Sequence, residues 1–152
     1  MKVGLIGLGR MGEGMSRRMM KAGIEVWVYR RNYEKAQEAY ENGYVNGVTT
    51  TIQSLVQVVK GNGNPGIFQM VVPAETVEET INELLRYCGE GDIIIDHGNS
   101  NFKDSRKRAE RLAKLCIQYI DCGTSGGVYG LDRILSYGWW RKYCGRHLCE
   151  DF

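Results

Sequence analysis

The sequence predicts an α/β fold: a doubly wound, mostly parallel sheet with helices on both faces. Three observations predict it. Strand-like and helix-like segments alternate from Lys2 to Asp121. The strand segments, among them "VWVY", "IFQMVV" and "DIIID", are nearly continuously apolar, as strands covered on both faces are. The first strand also runs straight into a glycine-rich turn that opens a helix, as the first turn of a βαβ unit does.

Taken in order, Lys2–Ile6 is apolar and β-rich, and glycines follow. Residues 11–21 read as a helix, and "AGIE" turns the chain into a second strand over 25–29. Residues 33–41 read as a second helix, stopped by Asn42-Gly43. Residues 51–59 read as a third, capped from the threonine run, and "GNGNPG" breaks the chain after it. The next strand, 67–72, ends at Pro73. Residues 76–87 are helical, with Val77, Ile81, Leu84 and Leu85 on one face. A strand over 92–96 follows, then a charged helix over 104–116 with Ala109, Leu112 and Leu115 inward, then a strand over 117–121.

The 152 residues suit one domain with a real core. Lys and Arg total 20 against 18 for Asp and Glu, so the net charge of +2 implies neither a nucleic-acid footprint nor an acidic tail. No apolar run reaches the roughly 20 residues of a membrane span. "MKVGLIGLG" is short and glycine-broken, a buried strand rather than a leader. Five cysteines form no CxxC pair and their count is odd, which reads as reduced thiols in the cytoplasm. No metal site is expected.

The chemistry starts at Gly7-Leu8-Gly9-Arg10-Met11-Gly12. A bare GxGxxG is weak, but this one follows a strand, opens a helix and precedes a second strand about 20 residues on, the context of a Rossmann-type dinucleotide site. Gly7 permits the tight turn, Gly9 lets backbone approach a pyrophosphate, and Gly12 lets the helix pack on the strand. The helix N-terminus then offers N–H groups and partial positive charge to phosphate. An NAD site commonly places a carboxylate at the end of the second strand. Here that position reads Tyr29, Arg30, Arg31, Asn32. Two guanidiniums favour a 2′-phosphate, so NADP is the expected cofactor, with NAD possible. The alternative leaves Arg30 and Arg31 as solvated loop residues.

Two further stretches, "DIIIDHGNSNFKDS" (92–105) and "YIDCGTSGGVYGL" (119–131), join the opening "GLIGLGRMG" in a match that runs to about Arg133. Together they resemble 6-phosphogluconate dehydrogenase, the decarboxylating enzyme of the pentose phosphate pathway, in its shorter bacterial form. The resemblance implies that Val72, Pro73, Ala74 and Asn99 touch the cofactor. It also implies that Asn99, Ser125, Gly126 and Gly127 hold 6-phosphogluconate. A hydroxyl and side-chain-free backbone N–H groups suit an anion. Two departures stand out: the shorter form commonly has an aspartate where Arg30 stands, and "PAET" lacks the glycine that usually follows Pro-Ala, bringing Glu75 near the cofactor. His97 reads as a loop residue rather than a catalytic base, and His147 has no role.

Beyond Arg133 the family continues with an apolar strand and a Gly-Gly turn, whereas this chain reads "ILSYGWWRKY". Tryptophan has one codon, so Trp139-Trp140 before Arg141 spells Gly-Gly in a frame displaced by one base. The expectation is a domain over 1–133 and a frameshifted tail over 134–152. The helical domain that carries the family's lysine base, glutamate acid and dimer interface is then absent, and the last strand of the sheet is lost. By resemblance the activity is oxidation of 6-phosphogluconate to ribulose 5-phosphate and CO2, in a form that does not turn over alone. The alternatives are a non-catalytic NADP-binding or sensor module, or a β-hydroxyacid dehydrogenase-type domain.

Overall fold

A computed structural model describes residues 1–61, 63–125 and 135–138. Seven strands, β1 (Lys2–Ile6), β2 (Glu25–Tyr29), β3 (Gly47–Thr49), β4 (Ile67–Met70), β5 (Ile93–Asp96), β6 (Gln118–Ser125) and β7 (Leu135–Gly138), form one sheet in the order β3-β2-β1-β4-β5-β6-β7. The first six pair in parallel, and β7 runs antiparallel to β6. Five helices connect them: α1 (Arg10–Lys21), α2 (Tyr33–Glu41), α3 (Ile52–Lys60), α4 (Val77–Leu84) and α5 (Phe102–Ala113). The Rossmann-type architecture expected from the sequence is the one observed.

Successive residues of a strand face opposite sides, and β1 shows what that does to the core. Ile6 joins Ile52, Leu55, Phe68, Met70, Val77, Ile81, Leu84, Ile94 and Leu112 on one face, where α3, α4 and α5 contribute. Leu5 joins Val26, Val28, Ala36, Ala39 and Val45 on the other, where α2 contributes. Phe68 is fully buried and needs Gly4 beside it, since a Cβ there would lie 2.8 Å from its ring. Phe68→Ala would remove about 3–5 kcal/mol.

The amino end of the sheet is held by Asp92. Its carboxylate is fully buried and accepts from Lys60 Nζ at 2.7 Å, Gly66 N at 2.7 Å and Gly89 N at 2.8 Å. This explains how "GNGNPG" breaks α3 without unravelling the approach to β4. Thr51 caps α3 through a reciprocal bond with Ser54.

Several boundaries differ from the sequence reading. β3 is an addition to the sequence expectation: three residues including a glycine give no apolar run, and the strand pairs with β2 from Trp27↔Gly47 to Tyr29↔Thr49, with Gly47 leaving room for the Trp27 ring. A turn of 3-10 helix, Ala74–Thr76, precedes α4, which ends at Leu84 rather than Tyr87. α5 begins at Phe102, one residue after its Asn101 cap, and buries Ser105, Arg108 and Leu112. Leu115 lies beyond the helix and is 49% exposed, so its expected inward position is corrected. The helix turns an arginine inward because a buried carboxylate waits for it (below). The expected loss of the last strand is also corrected, because Leu135–Gly138 pairs with Cys122–Ser125 along the β6 edge. Residues 134 and 139–152 of the proposed shifted tail lie outside the described residues. Among the described residues Cys88 and Cys122 are free thiols.

Candidate dinucleotide and sugar-acid site

The carboxyl ends of β1, β4, β5 and β6 lie side by side, the place where open α/β sheets bind ligands. Three glycines of the first turn meet three different demands. Gly7 has φ +91°, and a Cβ there would lie 2.3 Å from the Val71 carbonyl oxygen. Gly12 backs onto the same turn, its would-be Cβ 2.5 Å from the Gly7 carbonyl oxygen. Gly9 has nothing within 4 Å of a would-be Cβ. Two of the glycines therefore close the scaffold, and the third faces open space.

Gly9 is also the N-cap of α1, with no side chain capping the helix, so the N–H groups of Arg10, Met11 and Gly12 have no side-chain acceptor there. Leu8 is buried, which leaves its backbone as the wall of the turn. Unfilled space over Gly9, together with an uncapped twelve-residue helix, is what a pyrophosphate would occupy.

The three residues after β2 separate. Arg30 Nη1 donates to the Leu8 carbonyl at 2.5 Å, which fixes the guanidinium beside the glycine turn. Arg31 pairs with Glu79 of α4 at 3.0 Å, an exposed contact of small energetic weight. Asn32 caps α2, its side chain accepting from Lys35 N at 3.1 Å. Arg30 is thus attached to the site, Arg31 is held across the mouth, and Asn32 has a structural bond. Glu79 was invisible to sequence reasoning, 48 residues from its partner.

On the other side, Val72 lies 3.1 Å from the would-be Gly7 Cβ, and the Val72 carbonyl lies 3.0 Å from that of Gly98. The β4 and β5 loops are therefore stacked against the first turn. Pro73 and Ala74 are exposed at the start of the 3-10 turn, as is Glu75. Asn99 is exposed and stands at φ +52°, the left-handed region that a side chain seldom adopts. Asparagine enters this region more readily than most side chains, and Asn99 does so at the carboxyl end of β5. Ser125 ends β6, and Gly126 and Gly127 lie outside the described residues.

Beneath this loop, His97 is buried directly after β5. Its Nδ1 meets Thr124 Oγ1 at 2.9 Å and its Nε2 meets Gln69 Oε1 at 3.2 Å. In the neutral ring one of these nitrogens donates and the other accepts, so both contacts can be hydrogen bonds. Burial holds its pKa below the usual 6.5 although Asp96 opposes the shift. His97 follows the strand as expected and ties β4 to the β6 end. Asp96 accepts from Gly98 N, Ser100 Oγ and Tyr119 OH, contacts that no sequence pattern announced.

The profile of the NAD binding domain of 6-phosphogluconate dehydrogenase matches residues 2–133. The chain belongs to that family. It is 40% identical over 129 residues to the decarboxylating 6-phosphogluconate dehydrogenase of Candida albicans, covering 84% of this chain and 25% of that protein. It is 34% identical over 133 residues to the NAD(+)-dependent decarboxylating enzyme of Haloferax volcanii, covering 87% of this chain and 42% of that protein. Plasmodium falciparum 6-phosphogluconate dehydrogenase, solved as apo protein, with NADP+ and with 6-phosphogluconate, superposes at a TM-score of 0.82 with 27% identity. That match covers 95% of this chain and 32% of the other. A 3-hydroxyisobutyrate dehydrogenase from Salmonella typhimurium shares the fold at 21% identity and a TM-score of 0.74. The chain thus spans 25–42% of the length of these curated relatives. As a 6-phosphogluconate dehydrogenase NAD(P)-binding domain, it is related to oxidoreductases. Among the described residues no group of three or more His, Cys, Asp or Glu is placed to hold a metal, and no helix is long and apolar enough to cross a membrane.

Proposed function

We propose that this chain is the cofactor-binding part of a decarboxylating 6-phosphogluconate dehydrogenase. In this reading residues 7–12 cradle the pyrophosphate of NADP, Arg30 and Arg31 meet its 2′-phosphate beside Asn32, and Val72, Pro73 and Ala74 flank the nicotinamide. Asn99 touches both ligands, and Ser125, Gly126 and Gly127 hold 6-phosphogluconate. The observation that carries the reading is the open face of Gly9 over an uncapped α1. A guanidinium bonded to that same turn and a left-handed, exposed Asn99 complete it.

Arg30 supports NADP over NAD because its anchored Nη1 leaves further N–H donors for a phosphate. The nicotinamide, when bound, would accept the hydride from the carbon that carries the 3-hydroxyl. The chain's own residues bind and orient: backbone N–H groups neutralise phosphate charge, and Asn99 sets the ring against the sugar acid. Taking the hydroxyl proton and protonating the enediol need a base and an acid. We assign neither to this chain and place both, with the dimer interface, in the further length of the relatives. The chain alone then binds without turning over. We also propose residues 134–152 as a shifted-frame tail; the nucleotide sequence around the Arg133 codon tests that, and an in-frame reading with no family-like alternative refutes it.

Calorimetric titration with NADP, NAD and 6-phosphogluconate tests the assignment. Expected is NADP binding at least about tenfold tighter than NAD, a difference of about 1.4 kcal/mol. Ribulose 5-phosphate should not form. Equal affinity removes the 2′-phosphate role, and product formation overturns the claim that the chain does not turn over.

A further inference from the structure

The Asn99 loop rests on a buried polar cluster for which cofactor and substrate contacts alone give no reason. Asp96 ends β5 with its side chain fully buried. One carboxylate oxygen accepts from Gly98 N at 2.8 Å. The other accepts from Ser100 Oγ at 3.1 Å and Tyr119 OH at 2.7 Å, with Arg108 Nη1 at 3.6 Å. Arg108 is 8% exposed, donates to Ser100 Oγ at 2.8 Å, and is held from behind by Glu78 at 2.9 Å. Glu78 also pairs with Arg111 at 2.8 Å.

Asn99 therefore sits between two neighbours, Gly98 and Ser100, that are both bonded to one carboxylate. Gly98 has no alternative position for a side chain, since a Cβ there would lie 2.6 Å from Val77 Cγ2. A left-handed asparagine is less stable than an extended one, and two clamped flanks hold it there. A buried carboxylate is tolerable only when its lone pairs are satisfied and a cation is near. Tyr119 and Arg108 meet that condition, and burial pushes the Tyr119 phenol up, so it stays protonated and able to donate. Burial works against the Glu78 carboxylate, but the Arg108 bond and the Arg111 charge hold its pKa below the usual value, so Arg108 keeps its anionic support.

We propose that Asp96 is the positioning residue of this site: supported by Tyr119 and Arg108, it fixes Gly98 and Ser100 and thereby holds Asn99 in its ligand-facing conformation. The inference rests on the reading of Asn99 as a ligand contact. It places Asp96, Tyr119 and Arg108 outside direct contact with either ligand.

The test compares wild type, Asp96→Asn and Tyr119→Phe in two measurements on the whole chain. In the ligand-free protein, NMR reads the intraresidue HN–Hα NOE of Asn99, strong at positive φ, and the exchange rate of the Gly98 amide. Calorimetry then compares NADP with 2′,5′-ADP, which has the adenosine half and cannot reach Asn99. Expected in Asp96→Asn are loss of the positive-φ signature, faster Gly98 exchange, and NADP affinity weakened about tenfold with 2′,5′-ADP affinity unchanged. Tyr119→Phe shifts the same readouts by about threefold, and it decides the matter if Asp96→Asn does not fold. Retention of the Asn99 and Gly98 signals overturns the proposal. So does an equal loss for both nucleotides, which reports general damage. If wild type binds neither nucleotide, the cofactor reading fails, while the NMR arm still decides whether Asp96 positions Asn99.

Discussion

Replacing Gly9 by alanine separates the cradle from the scaffold that carries it. A Cβ at Gly9 would touch nothing within 4 Å, and its φ of −82° and ψ of −173° are open to any residue. Alanine shrinks the unfolded ensemble, worth about 0.4–1 kcal/mol. It is a poorer N-cap than glycine by about 0.5–1 kcal/mol. The two offset, and the folded chain should keep its stability within about 0.5 kcal/mol. The bound state differs, because a methyl then stands where backbone must touch pyrophosphate. Backing the phosphates away should weaken NADP at least about tenfold, or about 1.4 kcal/mol. Gly7→Ala gives the opposite balance. At φ +91° and 2.3 Å from the Val71 carbonyl it should lose about 2–4 kcal/mol of stability. Gly12→Ala regains about 1 kcal/mol of helix propensity, but its Cβ would lie 2.5 Å from the Gly7 carbonyl oxygen and force that turn to shift, so it too should unfold earlier. Urea unfolding and calorimetric NADP titration read both quantities. A Gly9→Ala chain as unstable as Gly7→Ala, or one that binds NADP like wild type, would refute the division of roles.

Other expectations follow from single contacts. Asp92→Ala leaves Lys60 and two backbone N–H groups without their acceptor, so urea unfolding should show a loss of about 3 kcal/mol or more. Because burial lowers the His97 pKa below 6.5, the unfolded chain takes up that proton first as pH falls. Stability should therefore drop below about pH 6.5, and His97→Gln should flatten the drop in thermal melts. Burial and the nearby Asp92 push the Cys88 thiol up to about 12, so iodoacetamide at pH 8 should modify it far more slowly than an exposed cysteine. Arg30→Asp should reverse the NADP preference in calorimetric titration, since a carboxylate repels the 2′-phosphate and accepts from ribose hydroxyls; unchanged selectivity would leave Arg30 as a loop brace.

Much of this architecture was legible because strands covered on both faces must be apolar along their length. "IFQMVV" and "DIIID" could hardly be anything else. β3 is hidden because three residues paired to β2 only in the folded sheet leave no apolar run or local period to read. The α5 face is legible only in part: Leu112 is buried as expected, Leu115 is not. Counting apolar residues points Leu115 inward, while the structure buries Arg108 against Asp96, a partner brought near only by folding. The glycine turn was readable from spacing, and the structure divided it into two structural glycines and one open one. Asn99 was found through resemblance, but neither its φ nor the carboxylate beneath it could be read from the string. Arg30 and Arg31 look equivalent in sequence, and only tertiary distance sends one to Leu8 and the other to Glu79.

Amide shift mapping of the chain with NADP tests the backbone cradle most directly. Expected are the largest shifts at Gly7, Leu8, Gly9, Arg10, Met11 and Gly12, with a second group at Asn99. Shifts confined to the opposite end of the sheet, around the shallow cavity lined by Gln53, Lys60 and Tyr87, or no shifts at all, would contradict it.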